Sequence, residues 1–227
     1  IKNVPVSRFF ICSSGLSLLF GLMNLIPINY NIGNDGYDVL SASRDEKERY
    51  YLWLTLKYVE FSMLGGENII PQIESIREDE LTKRLQYKGA PTMLAVKLSA
   101  YISRNEFERA VSLADRLLKS DEIMQALRYS FCIERLFLEL IGNNDAEIIA
   151  ELYDKKLKKY VEKTHLSNIQ SARLRHALLL LNEGNLPLAA KEEEVLSRLI
   201  SNHPSEFEKA EEIRLLKLVK ERAKFKA

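Results

Sequence analysis

The sequence predicts an all-α protein: one N-terminal transmembrane helix with a loop, then an antiparallel array of helix pairs. Three observations predict it. Phe9 to Asn34 is a run of 26 residues without a charged side chain, and the first acidic residue of the chain is Asp35. From Thr92 onward apolar residues recur at helical spacing, and no segment alternates as a strand does. Over that same stretch a pattern recurs about every 40 residues. The chain therefore divides into residues 1–40, a membrane helix and loop, residues 41–90, linking amphipathic helices, and residues 91–227, a helical-repeat domain.

Composition narrows the function classes. Lys and Arg total 33 against 32 Asp and Glu, so the net charge of +1 excludes a nucleic-acid binder working through a large basic surface. The balance is uneven along the chain: residues 1–34 carry only Lys2 and Arg8, leaving 31 basic against 32 acidic residues beyond them. Two cysteines, Cys12 and Cys132, exclude a disulfide scaffold and a multi-cysteine zinc site. With 9 Gly and 6 Pro, a turn-rich β protein is also excluded.

The first element is Phe9 to Ile28, twenty mostly apolar residues. At helical rise they span about 30 Å, the thickness of a bilayer core. Ser13, Ser17 and Gly21 fall at i, i+4 and i+8, with Asn24 three residues on, so all four share one face. A stripe of small residues lets a second membrane helix pack closely, and Asn24 belongs inside protein because lipid cannot satisfy its amide. A signal peptide fits less well, because no small-residue cleavage site precedes Asp35. A lipoprotein signal fails because Cys12 follows Phe-Phe-Ile rather than a small-residue box, and a buried core helix of this length without charge is the rarer case. The chain begins with Ile, so it is expected to be a fragment or a processed product with further membrane helices upstream.

Pro27 ends or kinks this helix, and Asn29, Asn31, Gly33 and Asn34 form a loop. Asp35 follows, with Gly36 permitting a tight backbone. Two readings stand on these residues alone. One is a loop near membrane depth that delivers a functional carboxylate. The other is a surface loop with an Asx-turn at Asn34-Asp35-Gly36.

The stretch Asn24-Leu-Ile-Pro27, then Asn34-Asp35-Gly36-Tyr37 and Leu40, resembles the second signature of the site-2 protease family, intramembrane zinc metalloproteases. The resemblance covers roughly residues 4–40. It implies that Asp35 is the carboxylate ligand to zinc, that Asn24 holds substrate or stabilises the oxyanion, and that Pro27 and Gly36 shape the loop. Asn24 and Asp35 stand eleven positions apart, a longer loop than the family's commonest form. The family's first signature, H-E-x-x-H, which supplies two zinc ligands and the general base, is absent. His165, His176 and His203 have no histidine partner at i+4 and read as ordinary surface or partly buried residues. One Asp does not hold a catalytic zinc, which takes three protein ligands. Either the H-E-x-x-H helix lies upstream, or the protein is a non-catalytic relative.

The later elements follow from caps and spacing. Ser43-Arg-Asp-Glu46 reads as a capping box opening a helix to Leu64, with Leu52, Leu56, Val59 and Met63 as its inward stripe and Gly65-Gly66 as its stop. Tyr50, Tyr51 and Trp53 are placed in the core, with a membrane interface as the lesser reading. A short helix is expected from Pro71 to Tyr87, broken by Gly89-Ala-Pro91. The repeat aligns Asn105–Ala110 with Asp145–Ala150 and Asn185–Ala190, each after a polar turn and before a second helix. The segments 105–120 and 184–199 resemble the second half of a tetratricopeptide repeat, in which a small Ala lets paired helices approach. Ser205-Glu-Phe-Glu208 is a capping box for the last helix, whose basic end from Lys220 to Lys226 reads as solvated, and Cys132 reads as a core residue.

The expectation is the C-terminal part of a membrane-embedded zinc metalloprotease that cleaves membrane-associated proteins or peptides, carrying a helical tail for a protein partner. It would sit in the cell membrane with residues 41–227 in the cytoplasm and no nucleic-acid partner. A membrane-anchored helical-repeat adaptor without catalysis is the alternative.

Overall fold

In the computed structural model, which describes residues 29–30, 32–33, 35–86 and 89–224 and the single helical positions 14, 17, 18 and 21, every described element longer than two residues is a helix. The predicted membrane helix lies almost wholly outside the described residues, and among those described no helix is long and apolar enough to cross a membrane. Within the predicted loop, β1 (Asn29–Tyr30) pairs antiparallel with β2 (Ile32–Gly33), Asn29 opposite Gly33.

Helix α1 (Asp35–Arg44) precedes the point where the sequence places its first cap, so Ser43 sits inside a helix and donates to the Leu40 carbonyl at 2.7 Å. The cap of α2 (Glu46–Leu64) is Asp45 instead. Its Oδ1 accepts from the backbone N–H of Lys47 at 2.9 Å and of Glu48 at 3.2 Å, and its Oδ2 accepts from Arg84 at 2.6 Å. The stop is as read from the sequence: Gly65 adopts φ 70°, and the Gly65 and Gly66 N–H groups reach the carbonyls of Phe61 and Glu60.

The inward stripe of α2 is not the one expected. The helix buries Glu48, Tyr51, Leu54 and Ser62, while Leu56, Val59 and Met63 face out. Of the three aromatics placed in the core only Tyr51 is there; Tyr50 and Trp53 are exposed and stacked on each other at 6.0 Å. Both flanks of α2 are apolar, so periodicity alone cannot choose between them. The choice is made by α5 (Gly89–Ser103), whose first residue comes so close that a Cβ on Gly89 would lie 2.6 Å from the Cβ of Tyr51. Glu48 accepts the Gly89 N–H there at 3.0 Å.

The single helix expected after Pro71 is two, α3 (Ile70–Ser75) and α4 (Glu78–Thr82), separated by extended backbone at Ile76 and Arg77. Gly89-Ala-Pro91, expected as a break, opens α5, where a proline in the first turn sacrifices no hydrogen bond.

Three helix pairs follow: α5 with α6 (Phe107–Leu118), α7 (Gln125–Ile141) with α8 (Ala146–Leu152), and α10 (Ile169–Ala177) with α11 (Leu186–Asn202). Helix α9 (Lys155–Thr164) is inserted between the second and third, α10 runs on into a π-helical turn at Leu178–Asn182, and α12 (Glu206–Lys224) closes the array. Each pair turns on a left-handed residue: Asn105 at φ 59°, Asn144 at φ 55°, Gly184 at φ 64°. The residue five places after each turn is buried, Ala110, Ile149 and Ala189, and there the second helix meets the first. The sequence alignment is therefore one residue late in its second and third copies, and Ala150 and Ala190, expected at the contact, are exposed.

One core runs through the array, from Tyr51 and Leu54 through Leu94, Leu113, Phe131 and Phe137 to Leu174 and Val219. Cys132 packs half-buried at its margin, and burial pushes its thiol up. Helix α12 opens with Ser205 accepting the Glu208 N–H at 3.1 Å, half of the predicted box. The other half is replaced: Glu208 pairs with His203 at 3.2 Å, and the Ser205 N–H reaches His203 Nδ1. Helix α12 packs on α11, α7 and α2, so the array curls back on its own beginning.

Candidate functional site

Asp35 and Gly36 are the first two residues of α1, two positions along the sequence from the end of β2 at Gly33. Asn24 and Pro27 lie outside the described residues, so their relation to Asp35 is not seen. Among the described residues no three His, Cys, Asp or Glu side chains cluster as a metal site. A catalytic zinc takes three protein ligands, so a single aspartate does not make a site.

The histidines are spread over the array. His176 is wholly buried, contrary to the expectation of a surface or partly buried residue, and its Nδ1–H donates to the Ala189 carbonyl at 3.0 Å. That bond spans the close approach of α10 and α11, and burial pushes its pKa down. His165 and His203 face Glu192 and Glu208.

A second site emerges from the curl of the array. Its inner wall encloses a cleft of about 580 Å³, lined among others by Tyr58 of α2, Ala95, Ser99 and Ile102 of α5, Glu134 of α7, Arg173 of α10, and Phe207, Glu208, Glu211 and Glu212 of α12. Arg173 is its centre. At 3% exposure it donates Nη1 to Glu212 at 2.7 Å and Nη2 to Glu134 at 2.5 Å, and its guanidinium lies 4.5 Å from the ring centre of Phe137. Each of the two bonds joins residues 39 apart, the spacing between the left-handed turns at Asn105 and Asn144. Ala95, Glu134, Arg173 and Glu212 thus follow one another at intervals of 39 residues in α5, α7, α10 and α12, and all four line the cleft.

The charge balance of this position is unequal. Two buried carboxylates share one guanidinium, and burial pushes the Glu212 carboxyl up against the pull of Arg173. Glu134 Oε2, Glu212 Oε2 and Arg173 Nε are buried with no hydrogen-bond partner among the described residues. With Glu208 and Glu211 at its rim, the cleft is an acidic, partly apolar groove able to accept hydrogen bonds from a cationic or N–H-bearing group. Sequence reasoning missed it because a register of 40 hides the 39-residue spacing of Glu134, Arg173 and Glu212.

Compared with protein-family models, curated proteins and solved structures, the chain matches none.

Proposed function

We propose that this chain is the C-terminal part of a membrane-embedded zinc metalloprotease of the site-2 type, and that its helix pairs form a tetratricopeptide-like tail that recruits protein partners or substrates. The observation that carries the reading is the sequence pattern Asn24-x-x-Pro27 with Asp35-Gly36, of which Asp35 and Gly36 open α1. Ser17, Leu18 and Gly21 of the uncharged run are helical and exposed, which leaves the small-residue stripe open to a second membrane helix. Residues 41–227 lie on the cytoplasmic side in this reading.

Asp35 would hold one position on zinc, and the reading requires an H-E-x-x-H helix, outside these 227 residues, for the other ligands and the general base. A zinc so held supplies a water with a pKa of about 7 and polarises the scissile carbonyl. The Asn24 amide would donate to the developing oxyanion, a role worth about 3 kcal/mol elsewhere. The acidic cleft supports the recruiting role of the tail and equally suits a membrane-anchored adaptor without catalysis.

One variant separates the readings. Asp35→Ala in the full-length protein is expected to lose bound zinc, measured by elemental analysis, and with it cleavage of a membrane substrate. Unchanged zinc content and unchanged cleavage would reject the ligand assignment, and a parent protein with neither bound zinc nor cleavage would select the adaptor.

A further inference from the structure

Helix α2 has an outer face that nothing in the described structure covers. Leu56 is 70% exposed, Leu64 82%, and Trp53 and Met63 more than two-fifths, along one side of a nineteen-residue helix. An apolar side on a helix that already buries Tyr51 and Leu54 behind it needs a second apolar partner.

The chemistry of the face identifies that partner. Its aromatics, Tyr50 and Trp53, stack at one end, with aliphatic residues beyond them, the distribution that suits the boundary between headgroups and acyl chains. Its charges are managed for such a place. Glu60 is paired with Lys57 at 2.6 Å, and Glu46 sits in the first turn, where the free backbone N–H groups offset a carboxylate. Arg44 and Arg49 are exposed and make no ion pair among the described residues, so they are available to anionic headgroups. The uncharged run is also close in sequence: it ends at Asn34, and only α1, packed against α2, intervenes.

Building on the membrane reading of residues 1–28, we infer that α2 lies in the plane of the bilayer surface, with Trp53, Leu56, Met63 and Leu64 in contact with lipid. The helix is an interfacial element rather than a span.

Trp53 is the only tryptophan of the chain, so its emission reports this face alone. The full chain is reconstituted with vesicles of phosphatidylcholine and phosphatidylglycerol and recovered by flotation. Replacing the phosphatidylcholine with a form brominated near the headgroup end of its acyl chains is expected to lower Trp53 emission about two-fold. Acrylamide in the aqueous phase is expected to quench it less than free tryptophan. Leu56→Glu with Met63→Glu, both exposed positions, is expected to abolish most of the bromolipid quenching while flotation and far-UV circular dichroism stay unchanged. A chain that floats while Trp53 is quenched by acrylamide as in water overturns the inference alone. So does a Trp53 shielded from both quenchers, which places protein on the face, or a double variant that keeps full bromolipid quenching. A chain that fails to float overturns the membrane reading itself, and this inference with it.

Discussion

Replacing Arg173 with Met keeps the length of the side chain and removes its charge. The guanidinium bridges Glu134 at 2.5 Å and Glu212 at 2.7 Å while covering Phe137, and all three ionic groups are less than a tenth exposed. The variant leaves two carboxylates buried without a counter-charge, which costs about 3–5 kcal/mol where a buried pair is broken from one side. For a helical domain of this size each kcal/mol is worth about 2–4 °C, so the melting temperature of Arg173→Met should fall by about 6–20 °C in far-UV circular dichroism. The cost has a pH signature. Burial already holds the Glu212 carboxyl above its ordinary value, so the folded state binds that proton more tightly than the unfolded state. Its favourable contribution is complete below the unfolded carboxyl pKa and is lost as pH rises through the folded one. Removing Arg173 strengthens this trend, so the deficit of Arg173→Met should be smaller at about pH 5 than at about pH 8. Adding Glu134→Gln and Glu212→Gln removes the stranded charges and should restore most of the loss. An Arg173→Met protein within about 1 kcal/mol of the parent, or a triple variant no better than the single, would show the triad is wet and refute the reasoning.

Two further outcomes follow from contacts nearer α2. Asp45→Ala removes the cap of α2 and its link to Arg84, and should lower stability by about 1–2 kcal/mol at neutral pH, read from the urea midpoint. The hydrogen bond from Arg84 holds the Asp45 carboxyl below its ordinary range, so this contribution is present above about pH 4 and lost as pH falls through the folded value; parent and variant should converge in acid. Gly89→Ala places a methyl group 2.6 Å from the Cβ of Tyr51 and 3.2 Å from the Leu52 nitrogen, neither of which can swing aside. It should cost about 1–3 kcal/mol by the same measurement, and a neutral result would mean α2 and α5 are not held this close.

The helical class was legible because it rests on spacing that no tertiary contact overrides. The stop at Gly65 falls where the sequence put it, and the first copy of the repeat begins on its left-handed residue, Asn105, since positive φ selects Gly and Asn. What stayed hidden was decided by neighbours. Ser43 has the chemistry of a cap but lost the role to Asp45, because α1 had already taken Ser43 into a helix. The inner side of α2 was settled by the reach of Gly89, which lies 38 residues from Tyr51 and leaves no mark on the periodicity of α2. The Glu134–Arg173–Glu212 bridge needed the register correct to one residue. Of the residues named from the motif, Asp35 and Gly36 open α1, while Asn24 and Pro27 lie outside the described residues.

Helix α2 also sets a distance. Its outer residues, Trp53 and Leu56, look away from the array, while Tyr58 on its other side borders the cleft and Phe61 holds Phe207 at 5.2 Å. With the outer face in lipid, the cleft stands one helix diameter, about 10 Å, from the membrane surface. A peptide leaving the bilayer would meet the acidic groove within the length of a few residues, and movement of α2 against the lipid would pass through Phe61 to the helix that forms the groove's far wall. Tether, anchor and receptor would then be three sides of the same nineteen residues.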